Sequence, residues 1–394
     1  MKRVIFLFFL SILLIGCFSN KQSHEALPHI DVRKDYPEKE IVLTDIADVT
    51  YLCLNSDDED YLYGGDIVYV AQNTIVVYGK GILFFSKDGK PKSRFNRSGQ
   101  GPEEYTRVSY ILYDEATDDV YIFEAFSNYI KVYSSSGEYK RKLTLPQRIN
   151  DGEMVLFDDQ SILVYDNSKM WRNISKKYSK GGDKAAFIEP IDSTFFLISK
   201  IDGTALEYIN LPSNNIDLSI SSGDGDFIFY GQVGFARVRK CPDGLFLYNP
   251  ETDTVFLYSK DKLLTPYMHK KPMLSDLDPL IAMDICMDAG KFQFISVIRY
   301  TANGGTQSAG YYMRHKKTGE IFRQKITLSD YKGKNFYVDP RFLKYYEKSY
   351  HFELDLIELK DADRENRLSG KLKELVDTLN EYDDNNVFVL VDFK

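Results

Sequence analysis

Ile130-Lys131-Val132-Tyr133-Ser134-Ser135-Ser136-Gly137-Glu138-Tyr139-Lys140-Arg141-Lys142-Leu143-Thr144-Leu145 reads as an apolar strand, a polar turn carrying glycine, and a charged strand. The same turn recurs as Ser86-Lys87-Asp88-Gly89-Lys90, Lys200-Ile201-Asp202-Gly203-Thr204 and Lys316-Lys317-Thr318-Gly319-Glu320, and without glycine as Ser259-Lys260-Asp261-Lys262. Strands of similar text follow two of these turns, Glu207-Tyr208-Ile209-Asn210-Leu211 and Phe322-Arg323-Gln324-Lys325-Ile326-Thr327-Leu328. Gly89 and Gly319 lie 230 residues apart over four intervals, a mean of 57.5. Propeller blades commonly repeat at roughly 40–50 residues, so the spacing is that of a blade with loop insertions. Around the turns lie Ile67–Val70, Thr74–Tyr78, Ile82–Phe85, Val120–Phe123, Ser161–Tyr165, Phe195–Ile198, Leu245–Tyr248 and Val255–Tyr258, all rich in β-branched and aromatic residues. Such residues suit a pleated surface. Several of these runs are apolar at consecutive positions, which requires both sheet faces to be covered.

No long stretch of helical period appears between residues 41 and 340, and strands do not alternate with helices. Doubly wound and TIM-barrel folds are thereby excluded. The expected class is all-β: a six-bladed β-propeller over 41–394, with a pair of β-sandwiches as the competing arrangement. The tail departs from the pattern. Leu368, Leu372, Leu375, Val376 and Leu379 make the stripe of an amphipathic helix, and Val387-Phe388-Val389-Leu390-Val391 is a last strand. A circular array has to be closed. The expected closure pairs that strand with N-terminal material around Val49-Thr50-Tyr51-Leu52-Cys53-Leu54, with the helix inserted in the closing blade.

The chain has 394 residues, a formal net charge of −8 and 43% hydrophobic residues, including 29 Tyr and 26 Phe. A wholly disordered chain is excluded by that apolar content. The acidic balance argues against a nucleic-acid partner, which demands clustered Lys and Arg. Lys2 and Arg3 precede the apolar run Val4–Ile15, broken by Ser11. This run is shorter than the roughly 20 residues that span a bilayer, and it has the form of a secretory signal peptide over 1–16. It ends in Leu14-Ile15-Gly16-Cys17, which resembles the bacterial lipobox. The resemblance implies cleavage before Cys17 and lipid on that cysteine, with 17–40 as a lipidated tether; a signal peptide with a chance cysteine is the alternative. The expected location is the cell envelope, at the outer membrane facing the periplasm, because no acidic run follows Cys17. Cys53, Cys241 and Cys286 are far apart and odd in number, so buried thiols are favoured over a disulfide framework.

Arg94-Phe95-Asn96-Arg97-Ser98-Gly99-Gln100-Gly101-Pro102-Glu103-Glu104-Tyr105, followed by Val120–Phe123, Asn128–Tyr133 and Gly137-Glu138-Tyr139, resembles the blade boundary of six-bladed β-propeller lipoproteins and is similar to an NHL repeat. Glu124-Ala125 departs from the NHL pattern, in which an Asp commonly follows the strand. The resemblance implies a fold and a location rather than a reaction.

Gly99-Gln100-Gly101 lacks the third glycine and the helix of a phosphate loop, and a tight crossing between blades explains it better. On this crossing Arg94, Arg97, Gln100, Glu103 and Tyr105 are the candidate ligand-binding residues, with ordinary exposed charges as the plainer account. Asp361–Glu365 begins like a calcium loop but has Asn366 where glycine is needed and Leu372 in place of the bidentate Glu. Ser221–Asp226 has two carboxylates and reads as a solvated turn. The five histidines form no local metal pair, and no Gly-x-Ser-x-Gly elbow is present. No cofactor is assigned, although a divalent cation such as calcium could occupy a central channel. The expected role is a membrane-anchored binding or scaffold module for a glycan, peptide or envelope protein. The rival is a propeller hydrolase or lactonase with a metal-assisted site at the channel, since residues from different blades can converge without leaving a local motif.

Overall fold

The computed structural model describes residues 27–394 apart from 55–58, 62–64, 150–151, 179–193, 213–218, 223–228, 233–236, 250–251, 274–280, 301–305, 338–348 and 381–383. The signal segment, Cys17 and most of the Ser221–Asp226 loop lie outside the described residues.

Three strands open the described chain: β1 (His29–Asp31), β2 (Glu38–Val42) and, after one helical turn α1 (Leu43–Ile46), β3 (Ala47–Cys53). Six sheets then follow around a ring. The first is β4 (Asp66–Val70), β5 (Thr74–Tyr78), β6 (Ile82–Ser86) and β7 (Pro91–Phe95). The second is β8 (Val108–Asp114), β9 (Asp119–Glu124), β10 (Ser127–Tyr133) and β11 (Tyr139–Ile149). In the third, helix α2 (Ser168–Tyr178) separates β12 (Gly152–Leu156) and β13 (Ser161–Asp166) from β14 (Phe195–Ser199) and β15 (Ala205–Ile209). A two-stranded ribbon, β16 (Ser219–Ser222) and β17 (Phe229–Gln232), leads to the fourth, β18 (Val238–Cys241), β19 (Gly244–Tyr248), β20 (Thr254–Ser259) and β21 (Leu264–Lys271). The fifth is β22 (Ile281–Ala289), β23 (Phe292–Tyr300), β24 (Thr306–His315) and β25 (Ile321–Leu328), with β26 (Tyr331–Phe336) also on β25. The sixth has, among the described residues, three strands: β27 (Ser349–Leu354), β28 (Val387–Phe393) and β3. Helices α3 (Leu356–Arg364) and α4 (Gly370–Thr378) are inserted between β27 and β28.

Every one of the five quoted turns joins the third strand of a sheet to its fourth. Gly89, Gly137, Gly203 and Gly319 have φ between 73° and 84°, and Lys262 occupies the same place at 60°. The turns are equivalent corners, and glycine recurs because the corner needs a left-handed residue. It also needs room. A Cβ on Gly137 would fall 2.5 Å from Cβ of Phe95 in the preceding sheet, and one on Gly89 would fall 2.4 Å from the carbonyl of Cys53 in the closing sheet. With Gly203, whose Cβ would fall 2.7 Å from the Thr144 carbonyl of the second sheet, these corners sit directly against the blade before them.

Closure runs as expected. β28 pairs antiparallel with β3, from Val387 opposite Cys53 to Phe393 opposite Ala47. Leu52, Leu54, Phe388 and Leu390 pack against Ile75, Val77 and Phe85 of the first sheet, so the interface between last and first sheets is apolar like the others. One cluster runs continuously through sheets one to four, and two more fill the fourth-to-fifth and fifth-to-sixth interfaces. β9 and β13 are buried at every position, as the apolar runs Val120–Phe123 and Ile162–Tyr165 at their centres require.

Three expectations change. The tether expected over 17–40 gives way from His29, because β1 adds in parallel to β21 and β2 in parallel to β25. Residues 29–42 thus strap the outer edges of the fourth and fifth sheets, burying Ile30, Val32 and Tyr36. The inserted closing helix is a pair. In α4, Leu372 and Val376 are buried, while α3 starts on Asp355, whose carboxylate accepts from the amide of Glu358. Lastly, α2 is a helix in a stretch read as purely β, an insertion within the third blade.

Candidate functional site

The crossing from β7 to β8 is a self-bonded knot. Ser98 bridges Tyr105, the Gly99 amide donates to the Tyr105 carbonyl (3.0 Å), and the Gly101 amide donates to the Glu104 carboxylate (2.8 Å). Tyr105 is 1% exposed, and its hydroxyl accepts from the Arg97 amide at 3.2 Å. The Arg97 guanidinium donates from Nε to the carbonyl of Gly137, a corner of the next blade, at 2.9 Å. Glu103 is exposed and offers its backbone carbonyl to the Tyr133 hydroxyl at 2.8 Å. Gln100 is exposed, and its side chain has no hydrogen-bond partner among the described residues. Arg94 stands apart on β7, paired with Asp60 and over the ring of Tyr61. The Asp60 carboxyl is held below its usual range by that guanidinium. Of the five candidates, Arg97, Glu103 and Tyr105 are brought together, and their described contacts join blade to blade.

Where the crossing enters the second blade it borders a cleft of about 480 Å³. Thr106 forms one side, the β9–β10 turn from Glu124 to Tyr129 a second, and Leu145–Arg148 at the end of β11 a third. The floor is charged. Glu124 is 4% exposed, and one carboxylate oxygen accepts from both the amide (2.7 Å) and the hydroxyl (2.8 Å) of Thr106. Its other oxygen lies 3.3 Å from the Lys131 ammonium, which also donates to the Glu104 carbonyl. Burial opposes the Glu124 charge, but Thr106 and Lys131 outweigh it and hold the carboxyl below its ordinary range. The ammonium groups of Lys131 and Lys142 lie 5.3 and 5.7 Å from the Tyr129 ring centre. Burial and then the Glu124 charge raise the Tyr129 hydroxyl.

The rim is different in kind. Phe126 is 50% exposed and has φ of +63°. A bulky residue in the left-handed region is a genuine outlier, and such strain collects at ligand-binding positions. Its carbonyl accepts from Nε of Arg148 at 2.6 Å, which pins the turn to β11. That bond uses one of the five guanidinium N–H groups, and Arg148 makes no other hydrogen bond among the described residues. Asn128 is exposed with no partner there, and Gln147 donates to the buried Asp166 at 2.5 Å, leaving its carbonyl oxygen. Sequence reasoning missed Phe126, Asn128, Gln147 and Arg148. The available signal was Ala125-Phe126, two apolar residues where a hairpin turn calls for polar ones, at the very place where the NHL pattern breaks.

Near the axis a second group spans three innermost strands. Glu153 on β12 accepts from the amides of Arg237 (2.8 Å) and Val238 (3.2 Å), and Arg239 on β18 lies 3.4 Å from Asp284 on β22. Burial raises both carboxyls against the pull of the two arginines. Charge is balanced here, and the group links the third, fourth and fifth blades. Among the described residues no group of three His, Cys, Asp or Glu could hold a metal ion. Cys53 and Cys241 are free and half-buried.

Residues 19–195 match a family model, DUF5128, described as a 6-bladed beta-propeller. No curated protein matches in sequence. A crystal structure of a Bacteroides fragilis protein described as exported is 14% identical and superposes with a TM-score of 0.56, over 91% of this chain and 99% of that one. A DUF4221 family member from Bacteroides vulgatus is 12% identical with a TM-score of 0.43, over 89% and 97% of the two chains. The first of these agrees with the ring described above.

Proposed function

Proceeding from a six-bladed β-propeller, we propose that this chain is a binding module of the cell envelope, held at a membrane by lipid on Cys17 and engaging its ligand in the cleft of the second blade. The observation that carries the reading is Phe126: a strained, exposed aromatic ring in one cleft with the Asn128 amide, which has no partner among the described residues, and the fork of Arg148. Exposed apolar surface rimmed by polar groups is the ordinary form of a recognition site. The ring supplies contact area at little conformational cost, and the polar groups supply direction. A glycan, a peptide or an envelope protein can each meet that surface. The description of the Bacteroides fragilis protein as exported is in keeping with the envelope location, as is the signal-like segment that precedes Cys17.

Two measurements test the two halves. Fractionation of cells expressing Cys17→Ala should move the protein from the membrane to the soluble fraction; a variant that stays in the membrane rules out the lipid anchor. Screening the purified chain against panels of glycans and peptides should return ligands that Phe126→Ala loses, with an unchanged melting temperature. Retention of every ligand by that variant removes the cleft from the reading.

A further inference from the structure

We propose that the cleft of the second blade recognises an anionic sugar, a uronic-acid residue of an acidic polysaccharide, with its ring face on Phe126 and its carboxylate on Arg148. This deepens the binding reading above and rests on it.

Glu124 is spoken for by Thr106 and Lys131, so the deep carboxylate is already neutralised. Arg148 on the rim adds a cation, and Lys142 lies 5.7 Å from the ring centre of Tyr129, which lines the cleft. Glu124 is the acid of the lining, and Asp166, which Gln147 reaches from it, is buried and also accepts from the Ser168 amide at 2.8 Å. A chain of net charge −8 thus presents a locally positive opening. Arg148 is suited to more than attraction. With Nε fixed on the Phe126 carbonyl, the guanidinium is pre-organised beside the ring, and its free N–H groups match the two oxygens of a carboxylate.

The choice of sugar over peptide follows from the walls. Extended peptides are usually held by adding a strand to an open edge, which needs backbone donors and acceptors in sequence. Here one wall is a hairpin turn and another contains Pro146, which has no N–H to give. What the cleft offers is side chains: one exposed ring, the amides of Asn128 and Gln147, the hydroxyl of Thr106 and a guanidinium. A flat apolar face with hydroxyls around its edge and one carboxylate is the ligand that uses all of them.

The test is calorimetric titration of the purified chain with three probes of equal length: oligogalacturonate, a neutral gluco-oligosaccharide and oligoglutamate. Oligogalacturonate should bind, weaken as salt rises, and lose about tenfold or more in affinity with Arg148→Gln, the loss of a charge-assisted pair. Asn128→Ala, a second exposed variant, should weaken it without changing its preference for acid over neutral sugar. Equal binding of the neutral oligosaccharide, lost with Phe126→Ala, overturns the anionic assignment and leaves the binding reading standing. Preferential binding of oligoglutamate overturns the sugar assignment in the same way. Failure of all three probes, together with empty glycan and peptide panels, overturns both.

Discussion

Single residues decide the corners of this ring. Gly137 combines φ of +84° with a Cβ position already occupied by Phe95. Gly137→Ala should therefore cost about 2–4 kcal/mol, adding left-handed strain to overpacking, and lower the denaturation midpoint accordingly. Lys262 holds the same corner at φ of +60° with a side chain; Lys262→Gly should be neutral or slightly stabilising in the same assay, because the gain from relieved strain offsets the entropy lost. A different residue governs acid stability. His351 on β27 is 7% exposed, and burial, helped by Lys87, depresses its pKa to about 3. The unfolded chain binds a proton near pH 6.5 and the folded chain does not until about pH 3. Stability should thus fall as pH drops through that window, by as much as about 1.4 kcal/mol per pH unit from this group. His351→Gln should flatten that part of a pH–stability profile, and an unchanged slope would acquit the residue. Thiol chemistry follows the same reasoning: burial pushes Cys53 and Cys241 up to about 12, so both should alkylate slowly at pH 8 until denaturant is added.

At the level of elements, the closing sheet is the part on which the rest depends. β28 lies between β27 and β3, so deleting residues 387–394 strips partners from both. The truncated chain should lose its cooperative melt and become sensitive to protease, whereas deleting 1–28 should leave the melt intact. The helix pair is packed rather than appended: Leu359 and Leu372 are both 0% exposed. Leu359→Ala should cost about 2–5 kcal/mol by the same denaturation measurement. Strands, corners and the pairing of β28 with β3 were legible in the sequence because each rests on a local pattern: β-branched runs, a glycine-bearing turn, an apolar last segment. α3 also carries a local signal, Asp355 and Glu358 at capping-box spacing, just ahead of the Asp361–Glu365 run that resembles a calcium loop. The strands β1 and β2 were not legible. Three and five residues long, they owe their state to edges contributed by β21 and β25, more than two hundred residues away. The cleft shares that property. Thr106, Phe126 and Arg148 are 42 positions apart from first to last, and only the sheet brings them together.

On the scale of the whole molecule, the apolar clusters leave no interface between neighbouring sheets unfilled among the described residues. Hydrogen exchange should accordingly be slowest in β9, β13 and β14, which are buried on both faces, and fastest in β1, whose three residues hang on one parallel edge. The strap and the last strand also impose an order in time. β1, β2 and β3 are made before their neighbours β21, β25 and β28. The early sheets can fold as they emerge, since their strands are adjacent in sequence, but the opening segment waits, β1 for β21, β2 for β25 and β3 for β28. The pairing of β28 with β3 is the latch of the ring: a chain that has not yet made β28 is an arc whose two ends have no sheet to join them.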